Sequence, residues 1–464
     1  MGRWTVPGIA AGIWQDGHMT TIGHGVASLE TRQPVTGDTL FQIGSITKVF
    51  TATLAMRLVE DGLLDLDAPV IDTLPDLPLA DKDARRILTL RHLFAHTGGF
   101  EGDRFVDYGR GDDALSKAVA AFDTLRQWSA PGELYAYCNT GFYLAGRIIE
   151  QVIGQPFETV MRERVFTPLG LERTVFFPEE AITYPAAVGY LQKRTGAPFT
   201  VGRPYSMPRC VNPAGGIVST VGDLLRFASF HIADGEIEST RLLTEAATRE
   251  MREPRVAAPT IDVAYGIGWA LQEIGGVQIV RHGGATRGFN ASLLVIPSRR
   301  FALALLTNCG HGARAMRQIE RWALEHFRGV RLTLPEPVDT PASALKAIAG
   351  TYERHDSRFT VFPEKGRLRV ESVTIDEESG EEEVGDPFWM RPVGALTDHA
   401  FIVTEGRPRH ALIDLLPASN GRPPLLRCWG RLAARREEPA GSHDGRANRK
   451  KAKRAVTKKS KRAN

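Results

Sequence analysis

Between Ser45 and Gly62 the chain carries a segment that is apolar on nearly every side, positions 49–59 being interrupted only by Thr51, Thr53 and Arg57. Gly62 reads as a helix stop and Ser45 stands where the helix would begin. A helix without a polar face has to be surrounded. The chain therefore needs a domain large enough to wrap it, and 464 residues, 42% hydrophobic and 24% charged, are ordinary globular material for one. That length exceeds one average domain, so two domains plus a tail are expected.

The rest of the pattern places the boundaries. Residues 1–330 alternate strand-like and helix-like stretches, including a helix over Phe142–Ile153 stopped by Gly154 and a β region of Val277–Arg281, Phe289–Ile296 and Phe301–Leu306. The economical arrangement is an α/β fold of the α+β type, an antiparallel sheet packed by helices. Residues 331–344 hold Leu334-Pro-Glu-Pro-Val-Asp-Thr-Pro341, whose prolines cannot continue a helix or a central strand and so mark a stiff linker. Residues 345–434 read as short strands around turns, a small all-β domain. Residues 437–464 lack apolar periodicity and are expected to be disordered.

Charge and cysteine content exclude several functions. The net charge is +4, but residues 446–464 hold ten Lys/Arg and no Asp/Glu, which leaves 48 basic against 54 acidic residues elsewhere. A nucleic-acid-binding core is not expected. Only the basic tail is suited to anionic lipid, wall polymer or nucleic acid. The four cysteines form no CxxC pair, which argues against a zinc ribbon or a thioredoxin-like site. No long apolar span and no signal-peptide pattern appear, so the chain as written is expected in the cytoplasm; an upstream start would make it periplasmic or secreted.

Chemistry concentrates where the buried helix begins. Ser45-Ile46-Thr47-Lys48 places a hydroxyl and an amine three residues apart, on one helix face. The amide groups of a helix N-terminus favour developing negative charge. An ammonium on a buried helix is costly to desolvate, which pushes its pKa down and suits a group that activates serine. Ser45 as a simple N-cap is the plain alternative. A second Ser-x-x-Lys, Ser343-Ala-Leu-Lys346, follows the linker without companions.

Ser45 does have candidate companions. Tyr137 and Asn139 stand two apart just before the Phe142 helix and face the same way if that segment is extended. A phenol beside Lys48 would serve as a general base if partly ionised, and the Asn139 amide would hold Lys48 and a substrate carbonyl. His282-Gly283-Gly284-Ala285 ends the Val277 strand, where two glycines suit either the close approach of a substrate backbone or a tight turn. There His282 offers a donor or cation to substrate, or is simply a turn histidine. His96, before Gly98-Gly99, reads as structural, and Cys138 as a small buried filler. No Gly-x-Ser-x-Gly, His-Glu-x-x-His, Gly-x-Gly-x-x-Gly or P-loop motif is present, so no metal or nucleotide cofactor is expected.

Taken in order, Phe41-Gln-Ile-Gly-Ser45-Ile-Thr-Lys48, His96-Thr-Gly-Gly99, Pro131-Gly-Glu133, Tyr137-Cys-Asn139, Gly215-Gly216 with Asp223, Tyr265-Gly-Ile-Gly-Trp269 and His282-Gly-Gly284 resemble the class C β-lactamase-like serine hydrolase family across residues 6–327. The resemblance implies the β-lactamase/transpeptidase-like fold, a helical subdomain beside an antiparallel sheet flanked by helices. It implies Ser45 as the acylated nucleophile, Lys48 and Tyr137 as sharing general-base work, and Asn139 as orienting Lys48 and substrate. His282, Gly283, Gly284 and Ala285 would line the substrate, with the Ser45 and Ala285 N–H groups as the oxyanion hole. The family's lactamases carry Lys-Thr-Gly where this chain has His282-Gly-Gly, a form more like its esterases, D-amino-acid peptidases and carboxypeptidases. The β domain resembles the lipocalin-like, barrel-like appendage of such hydrolases and is expected to wall the site's mouth. The expected activity is metal-free acyl-enzyme hydrolysis of small esters, amides or peptides. A β-lactamase, an acyltransferase and a penicillin sensor that stays acylated are the alternatives.

Overall fold

The structure is a computed structural model that describes residues 6–437 except 193–195, 259–263, 332, 377–378, 395–398, 407–408 and 420–421. The basic tail lies outside the described residues.

An eight-stranded antiparallel sheet organises the first 330 residues. Its strands are β1 (Gly8–Gln15), β2 (His18–Gly25), β3 (Val256–Ala257), β4 (Ala264–Tyr265), β5 (Ala270–Ile274), β6 (Val277–Thr286), β7 (Phe289–Ile296) and β8 (Phe301–Thr307), in the spatial order β2-β1-β8-β7-β6-β5-β4-β3. The strand register sets Gly284 opposite Ala291 in the β6–β7 hairpin and Ile9 opposite Thr307 where β1 pairs with β8. The period-2 alternation of β8 explains how both faces are covered. Ala302, Ala304 and Leu306 belong to the main core, whereas Leu303 and Leu305 pack with Met316, Ala323 and Leu324 of a C-terminal helix.

Four long helices matter for the site: α1 (Thr47–Glu60), α2 (Asn139–Ile153), α3 (Val221–Ile232) and α4 (Ala313–Arg328). Helix α1 is buried along almost its whole length, as its apolar surface requires, and Phe50 stacks on Phe227 of α3 with ring centroids 3.7 Å apart. The helix proper begins at Thr47, and Ser45 sits on a 3₁₀ turn over Gly44–Ile46 ahead of it. Helix α2 starts three residues earlier than its apolar pattern alone indicates, capped by the Cys138 Sγ, which accepts from the Gly141 N–H at 3.2 Å. Gly154 ends it in the left-handed region at φ 75°.

The C-terminal strands close on themselves. They are β9 (Gly350–Arg354), β10 (Ser357–Glu364), β11 (Arg367–Ile375), β12 (Glu382–Val384), β13 (Phe388–Pro392), β14 (Ala400–Glu405), β15 (Leu412–Leu416), β16 (Leu425–Cys428) and β17 (Arg431–Arg435). The order β10-β9-β17-β16-β15-β14-β13-β11 returns to β10, which makes an eight-stranded barrel, and β12 pairs with the C-terminal end of β11. Closure leaves the eight strands no open edge. Leu425, Leu432 and Ala434 of the barrel pack on Trp128 and Ala136 of the larger body. The second Ser-x-x-Lys falls on a short helix before β9, with Ser343 and Lys346 both exposed. Among the described residues no helix is long and apolar enough to cross a membrane.

Candidate active site

Lys48 is the side chain to explain, because it is fully buried on α1. Its Nζ lies 3.1 Å from Ser45 Oγ, 2.6 Å from Asn139 Oδ1 and 2.7 Å from the Ala214 carbonyl oxygen. The Tyr137 and Phe142 rings stand 5.0 and 5.4 Å from it. Burial drives the Lys48 pKa far below the ordinary lysine range, and the nearby Arg431 guanidinium pushes the same way. An amine whose burial disfavours the extra proton, set beside a serine hydroxyl, is equipped to take that hydroxyl's proton.

Tyr137 and Asn139 reach the site from the turn into α2. Burial raises the Tyr137 pKa well above the ordinary phenol range, against the smaller opposing pull of Arg431 and of its hydrogen bond with Ser45. At neutral pH the residue is therefore a phenol, able to pass a proton but not to start as a phenolate. Cys138 between them is buried, with its thiol pushed up to about 11, and works as the α2 cap.

The opposite wall is β6, and the His282-Gly283-Gly284-Ala285 stretch continues as strand with no turn at the glycines. A Cβ on Gly284 would sit 1.8 Å from the Ile43 carbonyl oxygen, so only glycine lets β6 pass this close to the turn bearing Ser45. A Cβ on Gly44 would likewise meet the Ala285 nitrogen at 2.8 Å. The backbone amides of Ser45 and Ala285 thus belong to two segments in contact.

Of the readings open for His282, a donor, a cation or a turn histidine, the contacts of its ring speak against the cation and against a turn. Its Nδ1–H donates to the Gly283 carbonyl at 2.6 Å, which leaves Nε2 to accept from the Tyr265 hydroxyl at 2.8 Å. Burial lowers its pKa to about 3. His282 is a neutral, fully engaged residue that fixes the strand and Tyr265. His96 is also internal, its Nδ1 accepting from the Cys138 N–H at 3.0 Å and its ring stacked 4.2 Å from that of Tyr137.

Sequence reasoning missed two residues here, Asp103 and Arg431. Asp103 lies in an irregular loop and Arg431 opens β17 just after the Trp429-Gly430 turn, so neither belongs to a local motif. Asn139 Nδ2 donates to Asp103 Oδ1 at 2.5 Å, and Arg431 Nε donates to Asp103 Oδ2 at 2.8 Å. The Arg431 guanidinium lies 4.4 Å from the Tyr137 ring centroid, and the Tyr137 N–H donates to the Gly430 carbonyl at 2.8 Å. Ser45, Tyr137, Asn139, β6 and Arg431 line one cavity of about 490 Å³, within the range of small-molecule sites. A larger cavity of about 1140 Å³ adjoins it through Phe105, Met207 and Gly215, but it does not contain Ser45. Among the described residues no cluster of three or more His, Cys, Asp or Glu side chains forms a metal site.

Comparison with known proteins bears on the family and the fold. The family model described as Beta-lactamase matches residues 2–326. A protein named penicillin-binding protein 4 from Amycolatopsis lactamdurans is 37% identical over 360 residues, covering 75% of this chain and 93% of its own. A D-aminopeptidase from Gluconobacter oxydans is 25% identical over 389 residues, covering 81% of this chain and 69% of its own. A crystal structure of SurE with D-Leu superposes with a TM-score of 0.72 at 28% identity, covering 94% of this chain and 96% of that one.

Proposed function

The chain belongs to the β-lactamase family of serine hydrolases, and from that premise we propose that it cleaves amides or esters of D-amino acids or D-amino-acid-containing peptides through an acyl-enzyme on Ser45. The observation that carries the proposal is the buried Lys48, 3.1 Å from Ser45 Oγ and depressed in pKa. The preference for D-residues draws on relatives, one named a D-aminopeptidase and one crystallised with D-Leu.

In the proposed reaction Ser45 Oγ attacks the substrate carbonyl carbon while its proton passes to Lys48 Nζ. The tetrahedral oxyanion forms between the Ser45 and Ala285 N–H groups, where fixed dipoles stabilise developing charge. Collapse breaks the bond to the leaving amine or alcohol, which takes a proton from Lys48 directly or through the Tyr137 hydroxyl. Water then attacks the acyl-enzyme, and the same groups return the proton to Ser45.

The test is turnover of a short-chain p-nitrophenyl ester and of paired D- and L-aminoacyl p-nitroanilides by wild type and Ser45→Ala, with intact mass recorded. The proposal expects wild-type turnover with preference for the D-series, and loss of at least about 10³-fold in the variant. Turnover that survives Ser45→Ala rejects the nucleophile. Preference for the L-series rejects the substrate class. The 37% identity to a penicillin-binding protein favours a second reading, a protein that acylates and stays acylated. A stable wild-type mass adduct with penicillin and no turnover of any substrate would favour it.

A further inference from the structure

We propose that Asp103, clamped by Arg431 of the barrel, is a positioning residue that fixes which end of the Asn139 amide faces Lys48, and thereby aims the Lys48 lone pair at Ser45. The inference rests on the Ser45–Lys48 reading above and adds two residues from outside the family motifs to it.

The argument is a count of donors and acceptors. A neutral lysine amine has two N–H bonds and one lone pair. The Ala214 carbonyl and Asn139 Oδ1 can only accept, so together they use both N–H bonds. With both N–H bonds spent there, a neutral amine turns its lone pair to the third neighbour, the Ser45 hydroxyl 3.1 Å from Nζ. A flipped Asn139 amide would point its NH₂ at Nζ and occupy that lone pair, disabling the base. Asp103 prevents the flip, because an ionised carboxylate accepts only and must face the Asn139 NH₂. Burial works against the Asp103 carboxylate, but the Arg431 guanidinium, together with Arg354 and the Asn139 amide, more than offsets it and holds the group below the usual carboxyl range.

The barrel fastens Asp103 twice. Arg431 holds the side chain while its Nη1 donates to the Trp429 carbonyl at 3.0 Å. His355 Nε2 donates to the Asp103 backbone carbonyl at 2.5 Å, and its Nδ1 pairs with Glu101 at 2.6 Å. The loop bearing Asp103 is thus pinned between α2 and the barrel, which makes the barrel part of the apparatus that aims Lys48.

The groups facing Lys48 are Asp103, Arg431, Tyr137, Cys138, His96 and His282. Burial keeps the last four neutral at pH 7, so the two permanent charges beside Lys48 are Asp103 and Arg431. Their effects on Lys48 oppose one another, the carboxylate raising its pKa and the guanidinium lowering it.

The experiment measures the pH profile of kcat/KM on a p-nitrophenyl ester for the full-length wild type, Asp103→Asn, Arg431→Gln and Ser45→Ala, with folding checked by circular dichroism and Tm. An Asn at 103 can offer either end of its amide and no longer dictates the Asn139 orientation. Its plateau is expected to fall about 10- to 100-fold, part of what a general base supplies, with the acid limb moving to lower pH. Arg431→Gln is expected to move the acid limb to higher pH, and it carries the test if Asp103→Asn does not fold. A full plateau in Asp103→Asn, or losses in both variants with an unmoved acid limb, overturns the inference. Activity retained in Ser45→Ala would instead fell the reading beneath it, so the two failures are distinguishable.

Discussion

At the residue scale the protein resolves one conflict, a lysine inside a hydrophobic helix bundle. Burying an ammonium is costly unless it is paired, and among the described residues the partners at Nζ are a hydroxyl, an amide oxygen and a carbonyl oxygen, with no carboxylate in contact. The relief is loss of the proton, the state a general base needs. Two outcomes follow for the proposed mechanism. Lys48→Ala is expected to lower kcat/KM on an ester by about 10²- to 10⁴-fold. Lys48→Arg is expected to do no better, since a guanidinium does not deprotonate near neutral pH. For the wild type the base acts when unprotonated, so activity rises with pH through the lowered Lys48 pKa and levels off well short of the ordinary lysine value of 10.5. A stopped-flow pH profile of acylation checks this, and a rate still climbing towards pH 10 would contradict it. Tyr137 starts as a phenol, so Tyr137→Phe is expected to cost less than Lys48→Ala in the same assay.

At the element scale the decisive feature is the passage of β6 against the turn over Gly44–Ile46. A methyl group at Gly284 would drive into the Ile43 carbonyl, and backbone cannot move aside as a side chain can. Gly284→Ala is therefore expected to cost about 1–3 kcal/mol of stability. Displacing the turn that bears Ser45 adds an activity loss on the order of 10²-fold. Gly283 has open space around its Cβ position, the nearest atom being the Ala291 carbonyl oxygen at 3.8 Å, so Gly283→Ala keeps the wild-type Tm. A thermal melt of both variants separates a close approach from a general need for glycine. The two glycines also mark how much was legible in sequence. Elements with strong local periodicity were readable, as α1, β7 and the Gly154 stop illustrate, because burial writes a repeat into the residues that pack. The continuation of β6 through Gly283-Gly284 was not, since the constraint comes from Ile43, in a segment far away along the chain. The roles of His282 and Asp103 were hidden for the same reason. Nothing near His282 in sequence says that Gly283 and Tyr265 occupy its two nitrogens, and an aspartate in a loop carries no sign that a barrel arginine will claim it.

At the scale of the whole molecule, barrel and hydrolase body meet through buried polar contacts as well as apolar packing, and one of these titrates. Arg427, paired with Asp414 inside the barrel, donates to the Tyr135 carbonyl at 2.8 Å across the seam. His355 is different. Burial disfavours its cation, but the hydrogen bond and charge of Glu101, helped by Asp356, outweigh that and raise its pKa above 6.5. A group whose folded pKa is raised adds stability that is complete below its unfolded value of about 6.5 and disappears as pH rises through the folded value. The His355–Glu101 contribution is therefore present in mildly acidic solution and lost in alkaline solution. His355→Gln keeps a donor for the Asp103 carbonyl but cannot carry charge, so its Tm should fall below wild type at pH 5.5 and approach it by pH 8.5. Parallel melts of the two proteins across that range check the expectation. A gap that stays constant with pH would show that the imidazolium does not stabilise the seam. If the gap closes as expected, acid tightens the barrel onto the same loop that carries Asp103, and the pH response of the seam then reaches the site through the backbone carbonyl that His355 holds.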